Sequence, residues 1–131
     1  MNTAIRNFRD LKVWQMAIDL VPAVYEVVKR LPKTETYALG DQLRRAVVSV
    51  PANIAEGQGR QHTKEFVQFL GVARGSLSET ETLLIVAHRL NYLEAERLRE
   101  LETQIAHLRR PLQALISRLK EKLDHARPVA Q

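Results

Sequence analysis

Apolar side chains recur every three or four residues through four long stretches of this chain, and that spacing constrains the fold more than any other feature. Successive residues of an α-helix are turned by about 100°, so this spacing places the apolar side chains on one face. It predicts helices at residues 11–31, 36–58, 64–90 and 94–123. Because the breaks between them are only a few residues long, neighbouring helices should run antiparallel. The pattern therefore predicts an all-α, up-down-up-down four-helix bundle.

A chain of 131 residues fits one domain. We expect a flexible N-terminal arm at residues 1–10, the bundle at residues 11–124 and a disordered tail at residues 125–131. Three prolines lie inside predicted helices: Pro22 and Pro51 predict kinks, and Pro111 predicts a kink or a split of the fourth helix. Gly57 and Gly59 predict that the second helix ends in a left-handed conformation, which glycine adopts without strain.

The first predicted helix carries more apolar surface than one buried stripe requires. Its two sets of apolar side chains together cover about 200° of the helix. We interpret the excess as a contact with a second subunit. The candidate interface residues are Val13, Ala17, Leu20, Val24 and Val27. The alternative is a central helix that the rest of its own chain covers.

The sequence gives little support to an enzyme or a metal protein. The absence of cysteine excludes disulfides and thiolate metal sites. No histidine has a glutamate three residues before it, as di-iron bundles require, and no phosphate-binding P-loop is present. We therefore expect no catalytic residues, no cofactor and no metal.

The sequence also indicates a location away from membranes. No apolar run approaches the about 20 residues that span a bilayer. The first ten residues, MNTAIRNFRD, lack the apolar core of a signal peptide. We therefore expect a cytoplasmic protein with no membrane partner.

The third predicted helix contains an acidic pair and two glycines. Glu79 and Glu81 point in different directions, so we expect one to be solvated and the other to pair with an arginine, with Arg45 as the predicted partner. Gly71 and Gly75 each cost about 1 kcal/mol relative to alanine in a helix. We expect the close approach of another helix to offset that cost; a hinge is the alternative.

The chain is basic, with a formal net charge of +5, and such a surface permits contacts with nucleic-acid phosphates. The candidate nucleic-acid-binding residues are Arg44, Arg45, Arg60, Lys64, Arg109 and Arg110. Since Arg44 and Arg45 are about 100° apart on a helix, we expect one in an internal ion pair and the other facing solvent or a polyanion. Binding would be electrostatic, because no aromatic platform for single strands is evident. The alternative is that the charge has no polyanion partner.

Two segments resemble the proteins encoded in intervening sequences of 23S ribosomal RNA genes: QLRRAVVSVPANIAEGQGR at residues 42–60 and KEFVQFLGVARGSLSETETLL at residues 64–84. This resemblance implies a left-handed four-helix bundle that assembles as a homopentameric ring and has no catalytic residues. A related branch, the accessory variability proteins of diversity-generating retroelements, binds a reverse transcriptase and nucleic acid through basic surfaces. Thr80 departs from the aliphatic residue that the family has between the two glutamates, which puts tight packing there in question.

Together these features predict a non-enzymatic homo-oligomer, a pentamer according to the resemblance, that acts as a scaffold or adaptor. It would bind RNA or DNA non-specifically, with a reverse transcriptase as a candidate protein partner. The alternative is a ring-forming structural or protein-interaction module with no nucleic-acid role. A surface whose cations are all paired with acids would favour that alternative.

Overall fold

The computed structural model describes residues 7–126, and within this range the chain forms four long α-helices and no strand. The helices are α1 (Lys12–Lys29), α2 (Leu39–Gln58), α3 (Thr63–Arg89) and α4 (Ala95–Ala126). Two short 3-10 turns, Phe8–Asp10 and Lys33–Glu35, precede α1 and α2. Each helix packs against the next along the chain, and α4 returns to α1. The predicted all-α four-helix bundle is confirmed.

Side-chain contacts give the register of the antiparallel helices. Between α2 and α3, the hydroxyl oxygens of Ser49 and Ser76 share a hydrogen bond of 2.7 Å. Asn53 donates to the Ser49 carbonyl at 2.8 Å and to its hydroxyl at 2.9 Å, so the polar group is satisfied inside the contact. Thr80 is fully buried and donates to the carbonyl of Ser76 at 2.8 Å. Its polar group therefore has a partner and leaves the packing of α3 intact.

The core lies between the four helices and draws on all of them. Burying these aliphatic side chains is the main favourable contribution to folding. The largest fully buried side chains are Leu20, Val24, Leu43, Ile54, Leu70, Leu77, Leu84, Leu101, Ile105, Leu108, Leu112 and Ile116.

The five candidate interface residues of α1 also belong to this core. Ala17, Leu20 and Val24 have no exposed surface, while Val13 and Val27 are 5% and 4% exposed. In the single chain they therefore leave almost no surface for a contact with a second subunit. For these residues the alternative applies, in which the rest of the chain covers the helix. The other apolar set of α1 is the one that remains partly exposed.

The prolines do not break the helices that contain them. Pro22, Pro51 and Pro111 each lie inside a continuous helix, so the predicted split of α4 does not occur. A proline removes one backbone hydrogen bond from a helix. In this bundle the tertiary packing on both sides of each proline holds the helix together.

Glycine does not end α2 in the predicted way. Gly57 lies inside the helix, and Gly59 ends it with φ −76°, in the right-handed region. The left-handed residue is Asn91, with φ 65°, directly after α3. There the amide of Tyr92 donates to the carbonyl of Ala87 at 2.8 Å, which is the hydrogen bond of a Schellman cap.

Within residues 7–126, the two glycines of α3 have no close neighbour on another helix. A Cβ atom added at Gly71 or Gly75 would meet nothing within 4 Å. The predicted approach of another helix therefore does not occur inside the bundle. At Gly57, in contrast, an added Cβ would lie 2.8 Å from the Cβ of Phe69.

The helical region extends slightly beyond the predicted limits of the domain. Phe8–Asp10 form a turn within the predicted flexible arm, and the ring of Phe8 lies 5.0 Å from that of Trp14. At the other end, α4 continues to Ala126, past the predicted start of the tail. The rest of the predicted arm and tail, residues 1–6 and 127–131, lies outside the described residues.

Candidate nucleic-acid interface

The adjacent arginines of α2 have different surroundings. Arg44 pairs with Asp41 and donates to the carbonyl of Thr36 at 2.8 Å, so it fixes the start of α2 to the preceding connection. Arg45 is exposed and forms no ion pair with any described residue. The prediction that one arginine is internal and the other faces solvent is confirmed. Arg44 is therefore a poor phosphate ligand, because Asp41 already neutralises its charge.

Arg60 connects the end of α2 to the start of α3. Its guanidinium lies 2.7 Å from Glu56 and 3.9 Å from Glu65. It also stacks over the ring of Phe69, with 4.8 Å between the guanidinium carbon and the ring centroid. Since carboxylates neutralise it and an aromatic ring holds it, Arg60 has a structural role at this turn.

Arg109 is the arginine that pairs with the acidic pair of α3. Its guanidinium lies 2.8 Å from Glu81 and 3.4 Å from the hydroxyl of Ser78. Glu79 is exposed, so the prediction of one solvated and one paired glutamate is confirmed. The predicted partner, Arg45, is wrong. The register of α3 and α4 brings Arg109 opposite Glu81, while Arg45 lies on α2.

Four other cations lie on α3 and α4, with Arg74 and Lys120 on the sides where these helices meet and Arg110 on the outer side of α4, and we call them the basic strip: Lys64, Arg74, Arg110 and Lys120. Arg74 donates to the amide oxygen of Gln113 at 2.7 Å, and Arg110 lies one helical turn before that glutamine. Lys64 and Lys120 border one shallow cleft of about 370 Å³, together with Leu123 and Asp124. None of the four forms an ion pair with a described residue. The strip therefore carries four cations without an ion-pair partner, with Asp124 as the acid that shares the cleft of Lys64 and Lys120.

The sequence identified only half of this strip. Lys64 and Arg110 were among the six candidates, but Arg74 and Lys120 were not. Their proximity depends on the register of α3 against α4, which the periodicity of either helix does not contain. The basic composition near the end of α4 was the one signal that pointed to Lys120.

A larger cleft lies at the opposite end of the bundle. It has a volume of about 550 Å³ and is lined by Glu26, Val27, Arg30, Tyr92, Leu93, Glu94 and Arg97. The hydroxyl of Tyr92 donates to Glu35 at 3.1 Å, and this hydrogen bond to a carboxylate raises the pKa of Tyr92 above 10.0. The lining mixes both charges, with Glu26 and Glu94 beside Arg30 and Arg97.

The described residues contain no group of three or more His, Asp or Glu side chains that could hold a metal ion. In the same part of the chain, no helix is long and apolar enough to cross a membrane.

Comparison with known proteins identifies both a family and a structural relative. The family described as 23S rRNA-intervening sequence protein matches residues 9–114. A solved structure of a protein of unknown function from the S23 ribosomal protein family of Bacteroides thetaiotaomicron superimposes with a TM-score of 0.74. The two chains are 22% identical, and the match covers 79% of this chain and 97% of the other, so it supports the fold. No curated protein is significantly similar in sequence.

Proposed function

The chain belongs to the family of 23S rRNA-intervening sequence proteins, and from that premise we propose that it is a non-enzymatic, homo-oligomeric adaptor for nucleic acid. It binds RNA or DNA without sequence specificity through the basic strip on α3 and α4. The observation that carries this proposal is the set of four cations on α3 and α4 that form no ion pair with a described acid. Phosphate contacts need such cations and little else.

The geometry of the strip suits a sugar–phosphate backbone. Arg110 and Lys120 are ten residues apart on one helix, which corresponds to about 15 Å along its axis. The same separation applies to Lys64 and Arg74 on α3. Successive phosphates of one strand are about 3.4 Å apart along the axis of a duplex. A strip about 15 Å long therefore spans about four phosphates. None of the four cations stacks on an aromatic ring. The contacts would therefore depend on the charge and shape of the sugar–phosphate backbone and not on the identity of the bases.

Assembly would strengthen this weak surface. In the proposed homo-oligomer, a pentameric ring by family resemblance, each subunit presents one strip, and several strips raise the apparent affinity without any new contact. An adaptor of this kind would also hold a protein partner on the nucleic acid. A reverse transcriptase is the partner that the resemblance suggests.

One observation favours the second candidate, a ring with no role on nucleic acid. Three of the six predicted phosphate ligands, Arg44, Arg60 and Arg109, are already paired with carboxylates inside the chain. If the remaining cations serve only solubility, the positive charge has no ligand. The two candidates differ in whether the basic strip binds phosphates more strongly than other surface cations do.

A matched pair of triple variants separates them. The strip variant Lys64→Gln, Arg110→Gln and Lys120→Gln removes three exposed cations and keeps the Arg74–Gln113 hydrogen bond. The control Lys12→Gln, Arg30→Gln and Lys33→Gln removes three exposed, unpaired cations elsewhere. Electrophoretic shifts with single-stranded RNA and duplex DNA are titrated with salt from low to physiological concentration.

We expect the strip variant to bind at least about tenfold more weakly and to have a shallower slope of log K against log salt, by about 0.7–0.9 for each lost phosphate contact. The control should keep most of the slope. Equal losses in the two variants, or no binding by the unaltered protein at low salt, would overturn the nucleic-acid role and favour the ring without it.

A further inference from the structure

The bundle leaves one apolar surface uncovered where α1 meets α2. Trp14, Ile18, Val21 and Tyr25 follow one another at intervals of four, three and four residues, which places them on one side of α1. All four retain exposed surface, and Ile18 is 39% exposed. On α2, Val48 is 42% exposed. We call Trp14, Ile18, Tyr25 and Val48 the α1–α2 face.

The two halves of this face are contiguous. Val28 of α1 lies 3.4 Å from the position that a Cβ atom on Gly40 of α2 would take, so this point marks where the helices touch. Val21 and Trp14 precede Val28 at intervals of seven residues along α1. On α2, Val48 lies two helical turns beyond Gly40. Exposed apolar residues that form one patch, instead of lying scattered, mark an interaction surface.

A second exposed face lies on α3, on the side toward α2. Val72 is 51% exposed and Val86 is 38% exposed, and Glu79 lies midway between them. Val72 and Glu79 flank Ser76, whose hydroxyl contacts α2, so their face borders the α2–α3 seam. Glu79 forms no ion pair with any described residue. We call Val72, Gly75, Glu79 and Val86 the α3 face.

We propose that the α1–α2 face of one copy of this chain packs on the α3 face of the next copy. This inference rests on the homo-oligomer of the proposed function and identifies its contact. One face presents the aromatic rings of Trp14 and Tyr25, and on the other Gly75 has no side chain, so a neighbouring side chain can approach the backbone of α3 there. Contact with a neighbouring copy also explains why α3 retains glycines that its own chain does not require.

Charge supports the same pairing of faces. Arg45 lies one helical turn before Val48, at the edge of the α1–α2 face, and it is exposed and unpaired. Glu79 is the unpaired acid at the centre of the α3 face. The contact brings these two charges together between copies. If either face contacted its counterpart on another copy instead, Arg45 would meet Arg45 or Glu79 would meet Glu79. The other face would then remain uncovered.

A head-to-tail contact between different faces generates a closed ring when the angle is suitable. The α1–α2 and α2–α3 sides are adjacent sides of the bundle, so their outward directions differ by about 90°, and contacts at this angle close a ring of about four or five copies. In that ring α2 lies nearest the axis. The α3–α4 seam then faces outward, where the basic strip is accessible.

The natural absence of cysteine allows a direct test. Four single variants are made: Ile18→Cys and Val48→Cys on the α1–α2 face, and Val72→Cys and Val86→Cys on the α3 face. Each variant is oxidised alone, and each α1–α2 variant is also refolded together with each α3 variant and then oxidised. Covalent dimers are detected by non-reducing electrophoresis, and light scattering gives the mass before oxidation.

We expect dimers in at least one of the four mixtures and in none of the variants alone. A dimer from a single variant would show that a face contacts itself and would overturn the inference. An assembled protein that forms no dimer in any mixture would overturn it too, while leaving the homo-oligomer of the proposed function in place. A monomer at micromolar concentration would overturn both the inference and that homo-oligomer.

Discussion

Gly57 shows how one residue sets the distance between two helices. A Cβ atom at this position would lie 2.8 Å from the Cβ of Phe69, 2.9 Å from Cδ1 of Phe66 and 3.2 Å from the Phe66 carbonyl oxygen. Two of these three atoms are backbone or directly attached to it, so they cannot move without shifting α3. The φ of Gly57 is negative, so its backbone conformation does not require glycine. Glycine is required here by the close packing of α2 on α3.

Gly57→Ala should therefore destabilise the protein. Overpacking a close contact costs about 1–3 kcal/mol, and the gain of about 1 kcal/mol for alanine in a helix offsets part of it. We expect a net loss of up to about 2 kcal/mol in the free energy of unfolding, measured by urea denaturation. Gly59→Ala is the matched control, because its added Cβ would meet carbonyl oxygens at 3.6 Å, an ordinary contact. Identical midpoints for the two variants would contradict this role of Gly57.

A sequence can predict the position of a residue around its own helix, but not its neighbours on another helix. Periodicity specifies which side of a single helix a residue occupies, and it correctly separated Arg44 from Arg45. It does not specify which residue of a neighbouring helix lies opposite. For that reason Arg109 was missed as the partner of Glu81, and the strip formed by Arg74 and Lys120 was not recognised.

At the scale of elements, the contacts between helices differ in character. The α2–α3 seam contains a satisfied polar group at Ser49, Asn53 and Ser76, within an otherwise aliphatic contact. The α3–α4 seam carries its polar contacts near the surface, where Arg109 meets Glu81. The existence and approximate limits of all four helices followed from their apolar spacing. The five candidate interface residues of α1 form its buried set. Periodicity did not show this, because the helix has two apolar sets and only the packed bundle shows which of them is inside.

A side-chain hydrogen bond joins the two connections at one end of the bundle. Tyr92, in the α3–α4 connection, donates to Glu35 in the α1–α2 connection at 3.1 Å. Because the neutral phenol is the donor, the folded state raises the pKa of Tyr92 above 10.0, first through this bond and then through partial burial and the charge of Glu35. The bond therefore contributes stability below pH 10, and that contribution is lost as the pH rises through the raised pKa.

Tyr92→Phe should lower the melting temperature slightly at pH 7, and the difference from the unaltered protein should disappear above the raised pKa of Tyr92. The difference in ultraviolet absorbance between the two proteins during alkaline titration reports the ionisation of this tyrosine. In Glu35→Gln the same titration should shift to lower pH, because the carboxylate is gone. A melting-temperature difference that persists unchanged at a pH where the absorbance shows Tyr92 to be ionised would exclude the hydrogen bond as its cause.

At the scale of the whole molecule, the sides of the bundle have different surfaces. The α1–α2 side is apolar and contains aromatic residues, the adjacent α3 face is glycine-bearing, and the α3–α4 side is basic. This division separates the proposed contact between copies from the proposed contact with phosphates. A substitution on the first surface can therefore change assembly without removing any cation of the basic strip.

Because the two surfaces are separate, Ile18→Glu tests whether nucleic-acid binding depends on assembly. The side chain is 39% exposed, so the single chain should still fold, whereas a charge in the contact between copies would be buried without a partner and should dissociate the assembly. Val24→Glu, at a position with no exposed surface, should instead unfold the chain. Circular dichroism and light scattering distinguish the two outcomes.

The monomeric Ile18→Glu protein keeps every cation of the strip but presents one strip instead of several. Multivalent contact can raise apparent affinity by about 10²–10⁴-fold, so we expect at least about a hundredfold weaker binding and a smaller salt slope. Thr34→Glu makes the same change in charge at an exposed position of a connection and should leave both values unchanged. A monomer that binds as tightly as the assembly, with the same slope, would mean that a single strip makes all the phosphate contacts and that assembly serves another purpose.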